Sequence, residues 1–205
     1  MNRERVNEAL ARDAMRAIKN RTAEFTPAGI YVPGANMVTF GHFTAFPVNE
    51  DGSLGPATLG ANKVVDEGLI QTLNLIANHA AGAAHYLAPF SGDVAVAAGW
   101  KGSTFPAVAT EFTQYTNATR VPWTTVAAVT PQVTNAAALG AATLTFNAGG
   151  PYAIRGVGLL TTSGKGSTTG RLFAASRFAD DLTGMGGGSK LALQYDLSAV
   201  DEGDV

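Results

Sequence analysis

Lys165 is the first residue whose setting suggests chemistry. It stands in the run Thr161-Thr162-Ser163-Gly164-Lys165-Gly166-Ser167-Thr168-Thr169-Gly170, a glycine- and hydroxyl-rich loop that invites a phosphate-binding reading. A phosphate loop needs Gly-x4-Gly-Lys-Ser/Thr, because its backbone N–H groups wrap the phosphates and the hydroxyl binds magnesium. Here Leu159 occupies the first glycine position and Gly166 the hydroxyl position. Both diagnostic places fail, so the loop reads as a hairpin-type connection and Lys165 as a contact residue for a partner rather than a catalyst.

The other chemistry-bearing residues are scattered. His42, His79 and His85 have no carboxylates at tight spacing beside them, and a zinc site needs three or four ligands. They read as surface or hydrogen-bonded histidines. Asp66 and Glu67 are adjacent on a predicted helix, where neighbours do not face each other; capping and dipole complementation account for both. Asp180-Asp181 is followed by Leu182-Thr183-Gly184 and lacks the alternating oxygen ligands of a calcium loop, so it reads as a turn. There is no cysteine and no Gly-x-Ser-x-Gly elbow. Glu111 and Arg120 bracket Phe112, Thr113, Tyr115 and Thr116, with Trp123 just beyond. One reading is a sugar- or protein-contacting patch. The favoured one is that the aromatics fill the core while the two charges pair at its edge. A hydrolase would need two converging carboxylates, and Glu111 has no evident partner in sequence. The expectation is therefore a non-enzymatic protein with no cofactor and no metal.

These residues sit on a chain of 205 residues with net charge −2, 24 glycines and only 15% charged residues. Ordinary soluble domains carry roughly 25%. No basic field points to nucleic acid, and no apolar run reaches the roughly 18 residues of a membrane span. Residues 1–26 form a separate segment. Arg3, Arg5, Arg12, Arg16, Lys19 and Arg21 alternate there with Glu4, Glu8, Asp13 and Glu24, and Val6, Leu10, Ala14 and Ile18 recur at helical spacing. The reading is a helical docking arm. It either meets a neighbouring subunit through Arg5, Arg12 and Arg16 or packs on its own domain.

Residues 27–200 read as one β-rich domain and 201–205 as an acidic tail. Short apolar runs such as Met37-Val38-Thr39-Phe40 and His42-Phe43-Thr44-Ala45-Phe46 precede the turn Asn49-Glu50-Asp51-Gly52-Ser53, which is expected to join two strands. A helix is expected over 66–80, capped by Asp66, with Leu69, Leu73 and Ile76 on one face. Residues 85–90 read as a strand. Thr, Val and aromatics favour strands from 94 to 134, shortened by Pro106, Pro122 and Pro131. The stretch 152–197 reads as strand, polar loop, short apolar segment, loop, strand, its last part alternating through Leu191, Leu193, Tyr195 and Leu197. The predicted fold is mainly β with minor α: an antiparallel sandwich or barrel-like sheet, one internal helix and the N-terminal helical arm.

Three stretches in this order resemble a family of small bacteriophage virion proteins. The first is Asn62-Lys63-Val64-Val65-Asp66-Glu67-Gly68-Leu69, followed by Tyr86-Leu87-Ala88-Pro89-Phe90. The second is Thr110-Glu111-Phe112-Thr113-Gln114-Tyr115 with Arg120 and Trp123. The third runs from Phe146 through Ile154-Arg155-Gly156-Val157-Gly158-Leu159-Leu160 and Lys165-Gly166-Ser167-Thr168-Thr169-Gly170-Arg171-Leu172 to Phe178. The resemblance covers about residues 60–197, and its motifs are turn and packing signatures. It implies a structural protein assembled into the virion in the host cytoplasm, in contact with copies of itself and with capsid, portal, tail or fibre proteins. Trp123 and Lys165 are the expected contacts on the domain. A glycan- or receptor-binding module of a tail fibre is the alternative, and it expects Trp100 or Trp123 to be exposed. Many such proteins end in an aspartate and an alternating strand; here Gly186-Gly187-Gly188-Ser189-Lys190 precedes Leu191, which marks an altered final hairpin.

Overall fold

The computed structural model describes residues 24–26, 29–31 and 37–201, with side chains from 41 to 199. The chain divides into two compact units, Met1–Val38 with Ala199–Val205, and Thr39–Ser198. In the first, β1 (Glu24–Thr26) pairs antiparallel with β2 (Gly29–Tyr31), Phe25 opposite Ile30. Arg5, Arg12 and Arg16 of the expected arm lie outside the described residues. The last three residues of that arm, Glu24–Thr26, are strand rather than helix. Phe25 and Thr26, facing Ile30 and Gly29, favour the extended backbone.

The remaining elements are β3 (Met37–Val48), β4 (Thr58–Ala61), β5 (Lys63–Val64), α1 (Asp66–Ile76), β6 (Tyr86–Phe90) and α2 (Phe105–Val108). They continue with β7 (Val121–Pro122), β8 (Gln132–Thr134), β9 (Thr143–Thr145), β10 (Tyr152–Leu160), β11 (Leu172–Met185) and β12 (Lys190–Asp201). The fold is mainly β, with two antiparallel sheets. One has the order β5-β11-β10-β6-β7; the other has β4-β3-β12-β8, with β9 also on β12. The turn at Asn49 to Ser53 joins β3 to its partner β4, as expected, and Asp51 accepts the Ser53 amide at 2.9 Å. The sheets are stitched where β4 meets β11. Ser176 Oγ donates to the Ala61 carbonyl (2.8 Å) and Thr58 Oγ1 to the Asp180 carbonyl (3.0 Å).

The β10–β11 hairpin organises the packing. Residues alternate along the regular part of β10, so Val157 and Leu159 join Phe43, Leu191, Leu193 and Tyr195 in the main core, while Leu160 joins Phe90, Trp100, Phe105 and Leu172 in a second core on the opposite face of the sheet. An irregular register between Ile154 and Gly156 brings Ile154 into the main core as well. Burying each such side chain contributes roughly 1.5–3 kcal/mol. Gly158 leaves room for an aromatic ring. A Cβ there would stand 2.6 Å from the Phe105 ring, and one at Gly156 would overlap Phe90.

Three expectations need correction. Asp180 and Asp181 are not a turn: they lie inside β11, where Asp181 meets Arg155 at 2.9 Å and Arg177 at 3.1 Å. Opposite charges on neighbouring strand positions stabilise the extended chain there. The 94–134 region holds little strand, only β7 and β8 besides the short α2. Its aromatics pack as irregular segments against the sheets, Trp100 and Phe105 in the second core and Phe112 and Tyr115 in the first. The connection at 186–189 is a crossing between sheets rather than a final hairpin, since β11 and β12 belong to different sheets. Gly187 and Gly188 donate their amides to the Gly149 and Phe146 carbonyls and seat it.

Candidate functional site

The lysine loop closes over Arg120. Thr161 and Arg171 pair across its neck, through Thr161 N to Arg171 O (3.0 Å) and Arg171 N to Thr161 Oγ1 (2.8 Å). Gly166 and Gly170 take positive φ (67° and 82°), a backbone that favours glycine. The loop then turns its carbonyls inward. Arg120 donates its amide to Ser163 O (2.8 Å), Nη1 to Thr162 O (3.1 Å) and Nη2 to Ser167 O (3.3 Å). The rest of the guanidinium grips Glu111 in a two-pronged pair, Nε to Oε1 at 2.8 Å and Nη2 to Oε2 at 2.7 Å. Both side chains are shut away from solvent, 0% and 1% exposed. The expected pairing of Glu111 with Arg120 is therefore present, but it lies inside the protein and not at the edge. The physical reason is that two loop carbonyls and a carboxylate together satisfy the guanidinium, so it can leave water.

Lys165 is likewise held within the chain. Its Nζ donates to Tyr115 O at 2.9 Å and Thr113 O at 3.4 Å and sits 4.3 Å from the centre of the Tyr115 ring. A phosphate cradle presents N–H groups and a free cation. This loop presents carbonyls to one cation and lays the other on an aromatic ring. The Tyr115 hydroxyl is buried with no hydrogen-bond partner. Burial first, and then the Glu111 charge, push its phenol well above the ordinary range, with Arg120 acting in the opposite direction.

Trp123, the other expected contact, is half-buried. It donates Nε1 to Tyr195 O at 2.9 Å and leans on the Tyr195 ring. Trp100 is buried at 9% exposure. The adjacent carboxylates diverge. Asp66 is exposed, while Glu67 Oε2 accepts the amides of Gly102 and Leu172, both at 2.7 Å, and so ties α1 to the sheet and to the following loop. Asp66 does not cap the helix either: the N-cap position is Val65, and Asp66 is the first helical residue. Among the described residues, no three histidine, aspartate or glutamate side chains gather as a metal set would.

Two polar pairs escape sequence reasoning. His42 on β3 meets the buried Asp196 of β12 at 3.0 Å; only the pairing of distant strands brings them together. His85 sits between the rings of Trp123 and Phe173, with its Nε2 3.3 Å from Gln71 Nε2. It borders a small apolar pocket of about 230 Å³, walled also by Leu75, Leu159 and Leu197. Burial holds the imidazole below its ordinary value near 6.5, and a hydrogen bond to the Ala83 carbonyl only partly opposes this. The unfolded chain therefore takes up the proton first as pH falls. The contribution of His85 to stability is present above about pH 6.5 and is lost below it, toward the depressed folded value. In His85→Phe, the slope of Tm against pH between about 7 and 5 will be flatter than in the wild type; an unchanged slope would remove His85 from this role.

The least ordinary surface is the outer face of α1. Its inner face consists of the buried Gly68 and Gln71, and Gly68 lies directly over the Phe173 carbonyl of β11. Its outer face carries Leu69, Ile70, Leu73 and Ile76, at 46%, 56%, 66% and 68% exposure. The face named by the periodicity thus points away from the core. A helix on its own domain turns its apolar stripe inward; here close approach through glycine and the Gln71–His85 contact select the opposite face. The chain matches no protein-family model, and no curated protein or solved structure is significantly similar to it.

Proposed function

We propose that the chain is a non-enzymatic structural protein of a bacteriophage particle, a self-assembling accessory component at the tail or fibre adaptor or on the capsid surface. The observation that carries the reading is the outward apolar face of α1, with Leu73 and Ile76 about two-thirds exposed. Contiguous exposed apolar side chains mark surfaces that meet another protein. Two further features support it. The charged residues best placed for chemistry, Glu111, Arg120 and Lys165, are engaged inside the fold. The stretches from Asn62 to Phe178 resemble small virion proteins whose signatures are turns and packing. Many copies joined by modest contacts make a stable shell or ring through effective concentration.

The glycan-binding alternative asks for an exposed indole face. Trp100 is buried, and Trp123 is pinned by its Nε1 beside an apolar pocket, a poor match for a hydroxyl-rich ligand, so assembly is the better reading.

Quantitative mass spectrometry of particles made from the genome that encodes the chain tests the proposal. Closed symmetry gives on the order of hundreds of copies for a capsid decoration and about a dozen for a tail or adaptor ring. Particles that lack the chain, or that hold only one or two copies, would overturn it.

A further inference from the structure

We infer that the outer face of α1 is a seam between two copies of this chain, packed helix to helix and antiparallel. The inference rests on the self-assembly reading and names its surface.

Leu69, Leu73 and Ile76 are spaced four and three residues apart, the step of a two-helix seam. All three are exposed, while the opposite side of the helix is seated on β11 through Gly68. The stripe is self-complementary. In an antiparallel pair with Leu73 near the two-fold axis, Leu69 of each copy lies beside Ile76 of the other, and Leu73 meets its own counterpart. A two-fold interface requires this reciprocity of one patch with itself.

Charge selects the antiparallel direction. No charged residue occurs from 68 to 78, so nothing in the stripe repels its copy. The same register that sets Leu69 against Ile76 brings Asp66, at the helix start, toward His79, just past the helix end. Both are exposed. A parallel pair would instead set Asp66 against Asp66, an unfavourable like-charge contact. Ile70 and Leu75, at 56% and 37% exposure, flank the stripe and widen the apolar contact.

Size sets the strength. Eleven residues make a helix about 16 Å long, so the seam falls short of the roughly 800 Å² per partner typical of tight complexes. The seam is a weak contact in isolation and an effective one when repeated through an assembly.

The absence of cysteine makes the test direct. The full chain is prepared as Leu69→Cys, Leu73→Cys and Ile76→Cys and oxidised mildly. Leu73→Cys is expected to crosslink to itself. Leu69→Cys and Ile76→Cys are expected to crosslink to each other in a mixture, and poorly when alone. In sedimentation equilibrium, Leu73→Glu is expected to weaken self-association at least about tenfold, with an unchanged circular dichroism spectrum because the side chain is exposed. Dominant 69–69 and 76–76 crosslinks overturn the antiparallel seam. Self-association that survives Leu73→Glu overturns the seam while leaving self-assembly standing through another surface. A wild-type chain that stays monomeric up to about 1 mM, with Leu73→Cys uncrosslinked at the same concentration, also overturns the seam, and the copy number in particles then decides the wider reading separately.

Discussion

Glu111→Ala will destabilise the protein by about 3–5 kcal/mol, because it leaves the Arg120 guanidinium buried without its counter-charge. Arg120 is 0% exposed and Glu111 1%, so no water replaces the missing carboxylate. Two remaining acceptors, the carbonyls of Thr162 and Ser167, serve the guanidinium but carry no full charge. Glu111→Gln keeps an acceptor and will cost less. The double variant Glu111→Leu/Arg120→Met removes both charges together and will recover most of the loss, as apolar replacements of buried pairs do. It will not restore the loop, whose Thr162 and Ser167 carbonyls lose their donors; amide exchange through 162–168 will quicken although global stability returns. Lys165→Met supplies the contrast. Lys165 is only half-buried, and its loss removes hydrogen bonds to Thr113 and Tyr115 and one cation–ring contact, about 1 kcal/mol. Denaturant midpoints measure all four variants. A cost below about 1 kcal/mol for Glu111→Ala, the size of an exposed pair, would mean that the pair is solvated in solution.

Composition and turn chemistry announced the β-rich class, and the alternation of Leu191, Leu193 and Tyr195 announced a strand that now lines the main core. The failure of the lysine loop as a phosphate site was equally legible, because it depends on two named positions, Leu159 and Gly166. What the loop does instead was not legible. Its partner Arg120 lies more than forty residues away and becomes a neighbour only when β10 and β11 form their hairpin. His42 and Asp196 tell the same story across two strands. The 94–134 region misled because β-forming residues also serve as irregular cover. Trp100 and Phe105 pack edge-on to each other and to Phe90 without any ladder of their own. Helical periodicity located α1 and its apolar stripe but carries no sign: it says which residues share a face, not which way the face points.

Gly68→Ala is the substitution that tests what points it. Alanine is the better helix former by about 1 kcal/mol, and a helix judged by itself would gain. In the folded protein a Cβ at this position would overlap the Phe173 carbonyl oxygen and crowd the Phe173 carbonyl carbon and Cα at 2.8 and 2.9 Å. These are backbone atoms of β11, held by pairing on both sides, and they cannot rotate away. The helix must lift instead. Lifting stretches the two amide bonds that Glu67 accepts from Gly102 and Leu172 and the bond from Val65 N to Phe173 O. The crowding outweighs the gain in propensity, and the variant will lose about 2–3 kcal/mol. Gly82→Ala is the control, since a Cβ there meets nothing within 4 Å, and it will be close to neutral. Denaturant unfolding reads both, and a Gly68→Ala variant more stable than wild type would show that α1 does not sit this close to the sheet. Only a residue without a side chain lets the helix rest so low on β11, and that seat commits Gly68 and Gln71 inward and Leu69, Leu73 and Ile76 outward. A lifted helix would present its stripe at another height and tilt. Association through the seam should therefore weaken in Gly68→Ala, although the stripe itself is untouched.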